Sequence, residues 1–168
     1  MSSRRVSSWP GRIGDVGVVK DLAIHEIDIA TYIFEKDPVE VYASIGKLKH
    51  KIFEDYANIM LRFNNGETAF IESNWITPHK VRKLTLTGST GLLYVDYISQ
   101  SIEIENAAEK RRPYLLYREP LKLELSHFVS CVANGQDPLV KGEDGVKALR
   151  IAEAALKSSK NHYRVIMN

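Results

Sequence analysis

The sequence predicts an α+β fold: a mixed or antiparallel open sheet of about six strands, covered on one face by helices. Three observations carry that expectation. A helical apolar pattern lies near the start, from about Val19 to Phe34. A long run of alternating segments follows, between residues 39 and 106. Two further helical patterns close the chain, at 121–134 and 143–161.

Residues 1–17 are rich in Ser, Gly and Arg and read as an irregular lead-in, which leaves 18–168 as a single domain. In the first helix Leu22, Ile24, Ile27, Ile29, Tyr32 and Phe34 give a broad apolar face. Pro38 then disfavours a helical Asp37 and ends it. Strand candidates are 39–48, 56–63, 67–76, 82–88, 91–98 and 101–106. In 56–63 the alternation places Ala57, Ile59, Leu61 and Phe63 on one face. The "NNG" at 64–66 and the "STG" at 89–91 read as hairpin turns. Residues 107–120 read as an exposed loop. The helix at 121–134 carries Leu121, Leu125, Phe128, Val129 and Val132 on one stripe, with Gly135 as a stop. The last helix opens on Glu143 and Asp144 and ends in lysines, matching the helix dipole.

Composition narrows the function classes. A chain of 168 residues is one domain with room for a real core. A net charge of +2, with no Lys/Arg block interleaved with aromatics, argues against nucleic acid. Cys131 is the only cysteine, so there is neither a disulfide framework nor a cysteine zinc site. No apolar run reaches the roughly 18 residues of a membrane span, and the N-terminus has no secretory apolar core. A cytoplasmic protein is the expectation. Dinucleotide and nucleotide fingerprints are missing: Gly11, Gly14 and Gly17 have G-x-x-G-x-x-G spacing without a preceding strand, and "TGSTG" at 87–91 lies between two strands.

The site candidate is in "VVKDLAIHEIDIATYIF", residues 18–34. Asp21 and His25 are spaced i, i+4 and Asp28 lies one turn further along that side. A histidine beside a carboxylate is a good general acid–base, because its pKa is near neutrality and the carboxylate fixes its tautomer. The same three residues could be a solvated face, or three ligands of a metal. Spacing alone leaves these alternatives open, although no second cluster completes a metal shell. His50, His79, His127 and His162 are scattered; His127 reads as packing within its helix, and His79 as a loop residue able to face a ligand.

"GDVGVVKDLAIHEIDIATYIF" resembles the glucose–fructose oxidoreductase/inositol dehydrogenase/MocA family. Its members carry G-x-[LV]-x-D-x-x-x-H-x-[IL]-D at the start of a C-terminal domain. Gly17, Val18, Asp21, His25, Ile27 and Asp28 stand in those positions. "LTLTGSTGLLYVDY" and "LELSHFVSCVANGQDPLVKGEDGVKALRIAEAALKSS" resemble the later strands and closing helices, in the same order. The resemblance runs from about Arg12 to the end of the chain.

It implies a glyceraldehyde-3-phosphate dehydrogenase-like C-terminal α+β domain that binds substrate and carries the oligomer interface on its sheet. The parent enzymes use NAD or NADP to oxidise sugars, sugar nucleotides or cyclitols. An N-terminal Rossmann domain, absent here, binds the dinucleotide and supplies a lysine in an E-K-P motif. His25 is then the acid–base, Asp21 orients substrate and pairs with that lysine, and Asp28 is a structural partner for backbone or arginine. Glu26 stands where many members have Asp, and Lys20 where an apolar residue is common, pointing to solvent. "FEKDP" at 34–38 follows the helix and is not the lysine motif. The lead-in looks closest to members acting on UDP-N-acetylhexosamines, which would let Arg12 contact substrate phosphate. No cofactor or metal is expected on this chain alone, and its partners are a second copy of itself (dimer or tetramer through the sheet), a separate Rossmann domain and a small sugar. The rival expectation is a non-catalytic dimeric assembly module left from such an enzyme.

Overall fold

The computed structural model describes residues 1–8 and 16–167. Among them, nine strands form one sheet: β1 (Ser2–Ser8), β2 (Glu40–Gly46), β3 (Tyr56–Arg62), β4 (Thr68–Asn74), β5 (Ile76–Gly88), β6 (Gly91–Asp96), β7 (Ser101–Glu105), β8 (Lys110–Arg111) and β9 (Val165–Ile166). The spatial order is β8-β7-β6-β5-β1-β4-β3-β2-β9. β1 pairs parallel with β4 and antiparallel with β5, and the other pairs are antiparallel, so the sheet is mixed.

The expected α+β architecture is present, with more strands than the expected six. The main correction is at the N-terminus. Ser2–Ser8 are not an irregular lead-in but a strand in the middle of the sheet. Its polar composition hides it: Arg4 pairs across to Glu72 on one face, while Ser3 and Val6 are buried. The two short strands β8 and β9 fall in segments with too few residues to show alternation.

A π-helical turn, Val19–Ala23, runs directly into α1 (Ile24–Phe34). Glu35 then takes a left-handed conformation (φ 53°), so the helix stops before Pro38 is reached. α3 (Gly142–Asn161) packs on β2 and α1. Ala148, Ile151, Ala152 and Ala155 make its buried stripe, whose small side chains let the helix approach the sheet closely. The core between these helices and the sheet holds Ile27, Val41, Leu61, Phe63, Ile71 and Trp75. Ala57, Ile59, Leu61 and Phe63 all face inward as their alternation predicts. Ser158 and Ser159 of α3 accept the Ala43 and Ile45 backbone N–H at 3.1 and 2.9 Å, closing the free edge of β2 beyond its short pairing with β9.

α2 (Pro120–Asn134) departs from the expected helical cover. Leu125, Phe128, Val129 and Val132 are 55–68% exposed, so the apolar stripe exists but does not lie on the sheet. His127 sits within this helix as expected, its Nε2 accepting the Leu139 N–H at 2.9 Å.

Two close approaches fix the start of α1. The Val18 N–H donates to the Glu54 backbone carbonyl at 3.0 Å, and the Val19 N–H to the Glu54 carboxylate at 3.3 Å. A carboxylate at a helix N-terminus also offsets the dipole. A Cβ at position 17 would stand 2.0 Å from the Glu54 carboxyl carbon, so Gly17 leaves the space that this cap occupies. Next to it, the fully buried Asp55 carboxylate accepts the backbone N–H of Leu48, Lys49 and His50 at 2.6–3.0 Å.

Burial alone would raise the Asp55 pKa, but the backbone N–H groups outweigh it and hold the carboxyl below its ordinary value. Its stabilisation is therefore complete above the unfolded carboxylate pKa of about 3.9 and is lost as pH falls through the lower folded value. Asp55→Ala is expected to cost about 2–4 kcal/mol in urea unfolding at neutral pH, and to lose less stability than the parent chain on acidification.

Candidate active site

The π-helical turn and the first turn of α1 carry the predicted pair. Wide turns of this kind recur at functional sites because they re-aim side chains without ending the helix. Asp21 and His25 both keep solvent-accessible surface at the edge of the sheet layer. The Asp21 carboxylate does not close onto the imidazole; its Oδ2 accepts the indole N–H of the buried Trp75 at 3.0 Å. Trp75 follows β4 directly, and its backbone N–H donates to the Asp55 carbonyl at 2.9 Å, so the indole is anchored from both ends. Asp21 is thus held by an apolar-bodied donor, with one carboxylate oxygen left for another partner.

His25 lies among charges of both signs. Its pKa is lowered first by burial, then by the Arg5 guanidinium, with Glu26 opposing and Arg82 adding to the shift. Asp21 raises it, the smallest of these influences. The shift favours the neutral imidazole, the form that accepts a proton.

Glu26 was the least obvious of the important residues. It is 1% exposed, accepts a hydrogen bond from the Ser3 hydroxyl, and takes the Arg5 Nε–H at 2.5 Å. An uncompensated buried carboxylate is costly, so this pairing ties α1 to β1. The signal was available: Glu26 lies on the stripe with Ala23, Ile27 and Ala30, and a carboxylate on a buried stripe requires a cation. That cation, Arg5, lies on β1, where the polar sequence gives no strand signal.

Asp28 is half-buried and lines a groove together with Asp144 at the start of α3. Burial and then Asp144 raise its carboxyl pKa, with His25 opposing. Among the described residues no arginine pairs with it; its backbone carbonyl accepts the Thr31 hydroxyl at 2.9 Å. Lys20 is not simply solvated but reaches Glu153 of α3 at 2.5 Å, an exposed pair of small energetic weight. His79 is exposed on β5. Arg12 lies outside the described residues. No group of three His, Cys, Asp or Glu converges on a metal-sized site among the described residues, and none of their helices is long and apolar enough to cross a membrane. "TGSTG" forms the β5–β6 hairpin, so it offers no strand-to-helix phosphate cradle for a dinucleotide.

The family model for the oxidoreductase family C-terminal alpha/beta domain matches residues 5–167. Myo-inositol 2-dehydrogenase of Thermotoga maritima is 29% identical over 84% of this chain and 46% of its own length. UDP-N-acetylglucosamine 3-dehydrogenase of Acidithiobacillus ferrooxidans is 23% identical over 94% of this chain and 52% of its own. The solved structure of that second enzyme superposes with a TM-score of 0.88 at 21% identity, over 95% of this chain and 53% of the other. Aldose-aldose oxidoreductase from Caulobacter crescentus gives a TM-score of 0.85 at 22% identity, over 99% of this chain and 54% of the other. The chain spans about half the length of the curated relatives it matches. From the Arg5 strand to the closing β9, it belongs to the glucose–fructose oxidoreductase/inositol dehydrogenase/MocA family as that family's C-terminal alpha/beta domain.

Proposed function

We propose that this chain is the substrate-binding, proton-transferring half of an NAD(P)-dependent oxidoreductase acting on a hydroxyl of a sugar or sugar nucleotide. The observation that carries the reading is His25: solvent-accessible, on the first turn of α1 directly after the widened turn, with surroundings that favour neutral imidazole. It takes the hydroxyl proton during oxidation and returns it during reduction. Asp21, fixed by Trp75, orients the substrate with its free oxygen. The nicotinamide, supplied by a separate dinucleotide-binding half, accepts or returns the hydride. The exposed apolar stripe of α2 supports such a second body, since Leu125, Phe128, Val129 and Val132 find no cover within the described residues.

The sheet face opposite α1 and α3 supports self-association. Tyr42 of β2 and Phe70 of β4 are exposed on that face, on either side of Met60 of the intervening β3. This observation also favours the second reading, an assembly module without catalysis. Light scattering is expected to show a dimer or tetramer; a monodisperse monomer would remove the sheet interface from both readings.

Activity separates the two. Joined in trans to the dinucleotide-binding half of the Acidithiobacillus relative, the chain is expected to reduce NAD in the presence of UDP-N-acetylglucosamine. His25→Asn should lower kcat by about 10²–10⁴, and Trp75→Phe should lower it by a smaller factor while leaving the fold intact. Absence of turnover with any sugar, sugar nucleotide or cyclitol would favour the assembly module. In the isolated chain, an NMR titration should place His25 below the ordinary value of about 6.5. Arg82→Gln should move it upward, because a repelling cation is removed.

A further inference from the structure

Beside the His25 site, on the half of the sheet formed by β5, β6 and β7, is a cavity of about 810 Å³. Three guanidinium-bearing residues, Arg5, Arg82 and Arg118, line it together with Tyr97 and Tyr114. Arg5 and Arg82 are directly opposite across the β1–β5 ladder. Like charges in that position are destabilising, so their retention needs an anion nearby. Glu26 supplies one, to Arg5. Arg82 and Arg118 have no carboxylate within ion-pair distance among the described residues, and Asp96, which also lines the cavity, is turned to Lys83 at 3.8 Å. With Asp96 counted against Lys83 and Glu26 against Arg5, the guanidinium groups of Arg82 and Arg118 leave a surplus of two positive charges.

Arg118 is held in place over the cavity. Gln100 grips its backbone from both sides: the Gln100 amide N–H donates to the Arg118 carbonyl at 2.6 Å, and its Oε1 accepts the Arg118 N–H at 2.9 Å. Gln100 itself adopts a left-handed φ of 52°, a cost for a residue of its type that this clamp offsets. The first turn of α2 lines the same cavity through Pro120 and Leu123, so a helix N-terminus adds partial positive charge.

We propose that this arginine cavity is an anion subsite that binds the phosphate or diphosphate of the substrate while His25 acts on its sugar hydroxyl. The inference rests on the oxidoreductase reading for the second half of that statement, and names the substrate as a phosphoryl-bearing sugar rather than a neutral polyol. Planar guanidinium forks match phosphoryl oxygens in pairs, and a surplus of two charges matches a diphosphate diester. Tyr97, Tyr114 and the apolar wall leave room for the group that the diphosphate carries. Burial and the neighbouring Arg5 both lower the Arg82 pKa, with Glu26 opposing, a repulsion that a bound anion would relieve.

The test is calorimetric titration of the full chain with UDP, inorganic phosphate, NAD and myo-inositol. UDP is expected to bind, phosphate more weakly, and myo-inositol not at all. Arg82→Gln and Arg118→Gln should each weaken UDP binding about tenfold or more. Arg118 is exposed, so its variant serves if Arg82→Gln fails to fold. Lys47→Gln, in a loop remote from the cavity, should bind UDP as the parent chain does. No UDP binding, or equal binding by both arginine variants, overturns the subsite. Equally tight, Arg82-dependent binding of NAD overturns its assignment to substrate. If UDP does not bind while the reconstituted enzyme oxidises a neutral polyol, the subsite fails and the oxidoreductase reading stands. If UDP binds through Arg82 but nothing is oxidised, the subsite stands and that reading fails.

Discussion

The buried pair of Arg5 and Glu26 is the constraint on which the rest of this structure depends. It joins the central strand of the sheet to the helix that carries His25, at 2.5 Å and with the carboxylate almost wholly removed from solvent. A buried ion pair is a weak source of net stability, but loss of one partner strands the other and costs about 3–5 kcal/mol. Its value here is positional. It fixes the rotation of α1 about its axis, so that Ile27 and Ala30 face the core while Asp21 and His25 remain at the open edge. It also brings a guanidinium close to His25, which helps keep the imidazole neutral. One interaction thus sets the geometry of the site, while burial is the larger influence on the proton affinity of His25 and Glu26 opposes Arg5 there.

The helix and strand pattern was largely legible in the sequence because burial imposes a period. β3 is the clearest case: Ala57, Ile59 and Leu61, with Phe63 just past its end, face inward at every second position, each at most 2% exposed. β1 was illegible for the converse reason. A strand of Ser and Arg has no apolar alternation, and its place in the sheet comes from backbone pairing on both sides plus one ion pair. Composition cannot report hydrogen bonds to partners some 70 to 80 residues away.

The site divides in the same way. Spacing put Asp21, His25 and Asp28 on one helix, and the family resemblance ranked them. Neither could show that Asp21 is held by Trp75, a contact spanning 54 residues, or that Asp28 faces Asp144. The helix at 121–134 teaches a related limit. Its stripe correctly marked a helix with one apolar face, but a stripe says only that the face is to be covered, not by what.

The position of β1 has a consequence for how the chain reaches its fold. β1, the first strand of this chain, sits between β4 and β5, which follow each other in sequence and would otherwise be free to pair as a hairpin. β1 must therefore enter a slot whose second wall is not made until residues 76–88 emerge. Until then its arginines are solvated and the Glu26 carboxylate has no partner to bury it. Such long-range closure slows folding, because loop entropy is lost before the contacts that reward it are formed. It also makes assembly of the candidate site one of the last events, since α1 cannot lock through Glu26 until β1 is inserted.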